Sequence, residues 1–567
     1  MKKVGIFVCR GELEGVRLEL APEDVASLSE AKWIGHHPAL CSSAGKKFLE
    51  EVVEREELKG VIALCPYSML YREAFHKEMT RMGLDPGRSR LLELKPEQWG
   101  DGKKTELLAK ALREIREDAP AVPQNSFTKR ALVIGGGIAG ISASIDLGNA
   151  GYEVILVEKL PSIGGRMLQL SETFPTLDCA QCTLTPKTVE TGQHPRIKLL
   201  TYSEVDDVKG KAGDFLVRIR RKASYVDWTK CTGCGLCQQK CPSKNPSEFD
   251  RGMGMGKAIY TLSPQAVPNK PVINPLTCRY LREGKCRVCE KICPVGAIDY
   301  EQKDTVVEER VGAIIVAAGF DLIPQERFGE YGYGAIPDVI DGLAFERLNS
   351  ASGPTTGEIR RPSDGKIPKE VVFIQCTGSR DPERYMPYCS RVCCMYTAKH
   401  ARLYKHKVHD GQAYIFYMDI RSTGKGYEEF IQQGMEEEGI LYLRGRVSRM
   451  YRDDDKVVVW GVDTLTGKKV EVSADMVVLA TAITPQKEAK ELARKLGITA
   501  DEHGFITEVQ RKLRPAEADV EGIYIAGCAQ GPKDIADAVA HANAAASKVQ
   551  ALFAQHRNDG GASPSGT

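Results

Sequence analysis

The stretch RALVIGGGIAGISASIDLGNAGYEVILVEK, residues 130–159, decides the fold. An apolar strand runs into a glycine turn, a helix-forming segment follows, and a second apolar strand ends on an acid, the order of a βαβ dinucleotide unit. Gly135, Gly137 and Gly140 keep the G-x-G-x-x-G spacing. The first permits a tight turn, the second lets the backbone approach a pyrophosphate, and the third lets helix and strand pack closely. The helix N-terminus then faces the anion. Glu158, followed by Lys159, ends the second strand where a ribose hydroxyl would be met. The glycines alone are a weak signal; strand, helix and terminal acid together predict a bound dinucleotide.

Working outward, Gly164, Gly165 and Arg166 stand in SIGGRM, Gly319 closes VGAIIVAAG, and GIYIAGCAQGPKDI carries Gly527, Cys528, Gln530, Lys533 and Asp534. These positions resemble the further FAD contacts of the two-dinucleotide-binding-domain flavoproteins, the thioredoxin reductase group. That group has Asp where this chain has Cys528. Where it carries a second glycine turn for a nicotinamide nucleotide, this chain reads IQCTGSRD (374–381), with no turn to admit a pyrophosphate. The expectation is FAD and no NAD(P) site, in an α/β, thioredoxin-reductase-like fold.

The segment CTGCGLCQQKCP (231–242) interrupts that flavoprotein. Cys231, Cys234, Cys237 and Cys241 have the C-x2-C-x2-C-x3-C-P spacing of bacterial ferredoxins, and CRYLREGKCRVCEKICP repeats it with a longer first gap at Cys278, Cys286, Cys289 and Cys293. In a two-cluster ferredoxin the fourth cysteine of each block ligates the other cluster. Cys231, Cys234, Cys237 and Cys293 are therefore expected on one 4Fe-4S cluster, and Cys278, Cys286, Cys289 and Cys241 on the second. A zinc module competes, but zinc sites rarely use two four-cysteine blocks each ending in Cys-Pro. A further group, Cys376, Cys389, Cys393 and Cys394, falls where the nicotinamide turn is missing, and its adjacent pair is awkward for a regular cubane.

The 567 residues allow three or four domains. The expected organisation is an α/β domain at 1–120, a linker at 121–129, FAD-binding parts at 130–222, 301–370 and 481–552, the ferredoxin insert at 223–300, a degenerate second nucleotide domain at 371–480, and a disordered tail at 553–567. Lys and Arg number 78 against 76 Asp and Glu, so there is no bulk attraction to nucleic acid. No apolar run is long enough to span a membrane and no export signal opens the chain, which reads as cytoplasmic. The 18 cysteines are then redox or metal ligands rather than a disulfide framework.

The ordering of a Cys-bearing N-terminal domain, flavoprotein, ferredoxin insert, Cys-x12-Cys-x3-Cys-Cys group, DIRSTGKGYEEF (419–430) and GPKDI (531–535) resembles the A-type subunit of heterodisulfide reductase, an iron-sulfur flavoprotein, over about residues 1–550. The resemblance implies electron bifurcation or confurcation at FAD, between ferredoxin and a higher-potential acceptor on iron-sulfur partner subunits of the B and C type. It also implies an electron-input hydrogenase or dehydrogenase module, and leaves open a homodimer within a larger complex. Many members end in a second ferredoxin domain, whereas this sequence reaches a polar tail, which leaves the insert or a partner as the low-potential exit. Cys9, Cys41 and Cys65 would gather an N-terminal cluster with Cys182, or Cys179, of LDCAQC as fourth donor. LDCAQC also reads as a redox-active pair or a buried one. Lys533 would lie near the isoalloxazine and stabilise anionic reduced flavin; a solvated lysine is the bland reading. A non-bifurcating, quinone-linked oxidoreductase flavoprotein is the alternative function, and a scaffold with structural cofactors a third. None of the ten histidines declares itself an acid or base.

Overall fold

The computed structural model describes residues 127–556 throughout and, ahead of them, residues 3–9, 12–13, 16–17, 20, 28, 31–65, 75, 78–84, 89–93 and 103–114. Residues 121–126 of the expected linker and 557–567 of the expected tail lie outside the described residues; residues 553–555, also expected in that tail, instead continue the helix Ile535–Gln555, because Phe553 is buried in its core. The chain forms two units, Met1–Ser126 and Phe127–Thr567.

In the first unit four parallel strands stand in the order Trp33–His37, Val4–Cys9, Gly60–Cys65, Ser89–Glu93. The two central strands, VGIFVC and GVIALC, are buried at every residue, as strands covered on both faces must be. The helix Ser43–Arg55 starts where the Ser42 hydroxyl accepts the Gly45 N–H at 3.0 Å.

The second unit is built on two five-stranded parallel sheets. The first has the order Ile197–Leu200, Glu153–Val157, Arg130–Ile134, Ala313–Val316, Ile523–Ile525, so three distant segments meet in one nucleotide-binding sheet. The helices Ile138–Asn149 and Ile535–Gln555 share its buried core through Ile141, Ile145, Ala542 and Val549. The second sheet runs Val339–Asp341, Met476–Thr481, Glu370–Thr377, Gln412–Tyr417, Leu441–Arg444. Val339–Asp341 was expected in the FAD-binding part 301–370; the three-residue strand VID is instead hydrogen-bonded into this second sheet, fully buried beside Val477–Leu479.

A three-stranded antiparallel arm, Ser203–Lys211, Asp214–Arg221 and Thr305–Val311, leaves the first sheet, and the cysteine-rich insert enters and exits through its last two strands. The insert has only two-residue strands and five-residue helices around a small core that includes Val226, Ile259, Ile273 and Ala297. Among the described residues no helix is long and apolar enough to cross a membrane.

Candidate functional site

A cavity of about 1100 Å³ opens at the C-terminal ends of the first sheet, where ligands of parallel α/β sheets bind. Two glycines show why the sequence is fixed there. Gly135 has φ +106°, and a Cβ on it would lie 2.3 Å from the Ala317 carbonyl oxygen. A Cβ on Gly140 would lie 1.8 Å from the Gly135 carbonyl oxygen, so only glycine lets the helix start against the strand. Gly137 caps the helix Ile138–Asn149 and forms a bridge with Gly164.

The cavity collects residues from all three FAD-binding segments: Gly135, Gly137, Glu158 and Lys159 from the first, Gly165 and Arg166 beyond it, Gly319 from the middle one, and Cys528, Lys533 and Asp534 from the last. Gly140, Gly164, Gly527 and Gln530 do not line it; Gln530 accepts from the Lys533 ammonium. Burial pushes the Glu158 carboxyl up, while its two oxygens accept the N–H groups of Gly136 (2.6 Å) and Leu160 (2.8 Å). Each oxygen keeps a lone pair for a hydroxyl. Burial also pushes the Cys528 thiol up, and its Sγ donates to the Lys533 carbonyl at 3.4 Å. Burial pulls the Lys533 ammonium down; it donates to Gln530 and more distantly to Gly531 O (3.5 Å). Asp534 accepts the Asp537 N–H (2.8 Å) as the cap of the last helix, and its other oxygen accepts from the Tyr427 hydroxyl (2.8 Å). The depth, the glycine cradle and the polar ends fit a dinucleotide.

One cluster on this wall escaped sequence reasoning. The Glu346 carboxylate, 2 % exposed, accepts from the Lys399 ammonium and lies 2.6 Å from His400 Nε2. Its second oxygen accepts from the Ser171 hydroxyl (2.8 Å) and N–H (3.0 Å). Lys399 also donates to Glu172 O (2.7 Å), and His400 Nδ1 is buried without a hydrogen-bond partner. Burial works to raise the Glu346 carboxyl, but Lys399 and His400 hold it well below the usual carboxylate range. Burial pulls the His400 imidazole down. All three line the cavity.

In the insert, Cys241 and Cys278 are buried in its core, with Cys231, Cys237, Cys289 and Cys293 packed against it. Burial pushes the Cys237 thiol up to about 12, with Cys231, Cys289 and Cys234 near enough to add to the shift. Burial also raises the Cys289 thiol, with Cys278 and Cys241 adding to the shift; its Sγ lies 3.0 Å from the Tyr300 hydroxyl. Cys241 thus neighbours the second block. The Cys293 Sγ accepts the Ala297 N–H at 3.3 Å, Cys286 takes a φ of +95°, and Cys234 is exposed. Closely set thiols, two of them raised by burial, fit groups that ligate metal as thiolates.

The third group converges only in part. Cys376, at φ +56° near the end of Glu370–Thr377, meets Cys393, which also meets Cys394 at the start of the helix Cys393–Lys407. The Cys393 hydrogen bond lowers the Cys376 thiol to about 7. Cys394 Sγ accepts the Arg421 N–H at 3.4 Å, and Cys389 Sγ accepts the Arg391 N–H at 3.3 Å. In the first unit Cys9 and Cys65 end neighbouring strands, and the Cys65 hydrogen bond lowers the Cys9 thiol to about 6; Cys41 is exposed. Cys179 and Cys182 are exposed, with Cys179 capping the helix Ala180–Gln193 and accepting the Cys182 N–H at 3.2 Å. Among the described residues no three His, Cys, Asp or Glu side chains gather as around one metal ion.

Sheets, cavity and cysteine blocks together define a flavin-type oxidoreductase with an iron-sulfur insert. Residues 394–542 match the family described as pyridine nucleotide-disulphide oxidoreductase, 133–199 the NAD(P)-binding Rossmann-like domain, and 224–245 the 4Fe-4S binding domain. The A-type iron-sulfur subunit of CoB–CoM heterodisulfide reductase from Methanocaldococcus jannaschii is 42 % identical over 571 residues, 98 % of this chain and 86 % of that one. An A-type iron-sulfur subunit of the same enzyme from Methanopyrus kandleri is 41 % identical over 568 residues, 97 % of this chain and 86 % of that one. The chain belongs to the family of heterodisulfide reductase A-type subunits. Among solved structures, the thioredoxin reductase of T. acidophilum superposes with a TM-score of 0.43 at 15 % identity, covering 75 % of this chain and 99 % of that one.

Proposed function

We propose that this chain is the FAD and iron-sulfur subunit of a heterodisulfide-reductase-like complex, and that it distributes electron pairs between ferredoxin and a higher-potential acceptor held by iron-sulfur partner subunits. The supporting observation is the cavity itself: glycines of the first sheet line one part of it, and residues of the ferredoxin-like insert, Gln238 and Thr277 among them, line another. These two adjoin Cys237 and Cys278 in sequence. A relative of 40 % identity from Methanothermobacter marburgensis is named as the A-type subunit of an H2:CoB–CoM heterodisulfide, ferredoxin reductase, which agrees with this choice of acceptors.

When bound, FAD supplies the exchange between paired and single electrons, and 4Fe-4S clusters carry electrons singly. Gly135, Gly137 and Gly165 would take the pyrophosphate side, and Glu158 the ribose. Lys533 would place a cation beside the reduced ring. Two clusters would sit in the insert on the crossed cysteine sets, one at Cys376, Cys389, Cys393 and Cys394, and one in the first unit near Cys9, Cys41 and Cys65. Lys399, held between Glu346 and Glu172 O at the cavity wall, stores a proton at Nζ. The Glu346 carboxylate, held low against burial by Lys399 and His400, accepts from that lysine, and burial pulls the His400 imidazole beside it down.

Anaerobic reconstitution followed by flavin and iron counting tests the reading. Bound FAD and clusters that cycle reversibly between redox states are expected; a chain that binds iron but leaves the flavin free would overturn it.

A further inference from the structure

The insert is not held by its arm alone. Four residues after Cys241 the chain makes a small hairpin, Asn245–Pro246 against Met255–Gly256, whose tip carries Phe249, Asp250 and Arg251. This tongue reaches back onto the flavoprotein. Arg347, 1 % exposed, donates from Nε to Asp250 Oδ1 (2.9 Å), from Nη1 to Gln169 O (3.3 Å), and from Nη2 to Ser352 O (3.1 Å). Its guanidinium lies 4.9 Å from the centre of the Phe249 ring. Arg251 in turn donates to Oδ2 of the fully buried Asp341, from Nη2 at 2.5 Å and from Nε at 3.0 Å. Asp341 Oδ2 also accepts from the Tyr333 hydroxyl (2.5 Å), and Gln169 Nε2 donates to Phe249 O (2.7 Å).

The pattern is reciprocal: an acid then a base on the tongue face a base and an acid on the body. Sliding the tongue by one residue would oppose Asp250 to Asp341 or Arg251 to Arg347. Buried ion pairs are poor evidence of stability but are well suited to fixing one register against others. The register matters because the tongue is also a wall of the cavity. Ser247, Glu248, Phe249 and Asp250 line it, as does Gln169, which the tongue grips.

We infer that Asp250, Arg251, Asp341 and Arg347 form a positioning clamp that seats the insert as one wall of the dinucleotide cavity, and so fixes the separation between the flavin and the insert's clusters. The inference rests on the reading that the cavity holds FAD and the insert holds clusters. Electron transfer falls steeply with separation, so a pivot of the insert about its arm would slow it and open the cavity to water.

The test uses the full chain, reconstituted anaerobically with FAD and iron, as wild type and as Arg251→Gln, Asp250→Asn and Arg251→Lys. Transfer from reduced clusters to flavin is followed by stopped flow, flavin retention by dialysis, and accessibility of the tongue by protease cleavage near 248–257. Arg251→Gln and Asp250→Asn are expected to slow transfer and weaken flavin retention by at least about tenfold, with cleavage faster and iron content unchanged. Arg251→Lys, which keeps the charge, is expected to restore most of both. Transfer and retention at wild-type values in the two neutral variants would overturn the clamp. So would loss of iron with the flavin in both, since the pairs would then hold the insert together rather than place it. A wild-type chain that binds both cofactors but passes no electrons between them would instead sink the proposed function.

Discussion

Arg221 and Thr305 face each other as backbone partners in one antiparallel ladder, although the whole cysteine-rich insert lies between them in sequence. A hairpin turn has been replaced there by a folded domain, and the strands on either side keep their pairing from Phe215↔Val311 through to the last residues. The flavoprotein therefore does not need the insert to complete its sheets, and a cysteine of the insert can be replaced without breaking them.

Cys289→Ser, whose thiol neighbours Cys278 and Cys241, is expected to remove one cluster, about four irons per chain, while flavin content stays at the wild-type level. Iron assay and low-temperature EPR of the purified variant check it. Retention of the full iron complement would show that Cys289 is not a ligand.

Gly140→Ala acts on the other cofactor. Its new methyl group would collide with the Gly135 carbonyl, so the helix must withdraw from the strand that presents the glycine turn. Flavin retention is expected to weaken at least about tenfold with iron unchanged. Absorbance near the flavin bands after gel filtration reads this directly, and an undiminished flavin content would contradict the assignment of the cradle.

Lys533 offers a prediction about potential rather than occupancy. A cation worth about 1.4 kcal/mol to the reduced flavin corresponds to about 30 mV for a two-electron couple, so Lys533→Ala is expected to lower the flavin midpoint by that order. Burial depresses the Lys533 ammonium, so the wild-type effect should fade as pH rises through a value below its ordinary 10.5. Equal midpoints for the two proteins on redox titration would reject the role.

The Glu346, Lys399 and His400 cluster makes stability depend on pH. Burial lowers the His400 imidazole, and Lys399 with His400 lowers the Glu346 carboxyl against burial. Both groups bind fewer protons folded than unfolded, so stability rises with pH. Their contribution is complete above the ordinary His value of 6.5 and is lost on acidification, first through that window and then below the ordinary Glu value of 4.5. His400→Gln is expected to flatten the upper part of this limb and Glu346→Gln the lower, in thermal unfolding curves taken across the acid range. Superimposable curves for all three proteins would contradict the account of the cluster.

Much of this was legible in the sequence, and for physical reasons. Gly135, Gly137 and Gly140 are dictated by backbone approach over a few residues, and the two cysteine blocks by the geometry of a cluster, so both leave local spacing. Glu346 and Lys399 leave none. They come from two helices, Gly342–Asn349 and Cys393–Lys407, and meet only because both helices pack on the second sheet, where Phe345, Leu348, Ala401 and Tyr404 share one core. The strand Val339–Asp341 was hard to place for a similar reason: two apolar residues and an aspartate fit either sheet until a partner is chosen. Asp250 and Arg251 look like any solvated pair until Arg347 and Asp341 face them.

The central claim is that flavin and clusters form one circuit that divides an electron pair between two acceptors. It is tested most directly by single-turnover stopped flow of the reconstituted chain with its partner subunits, offering oxidised ferredoxin and a higher-potential acceptor together. One electron delivered to each acceptor per flavin turnover is the predicted result; both electrons arriving at a single acceptor would contradict it.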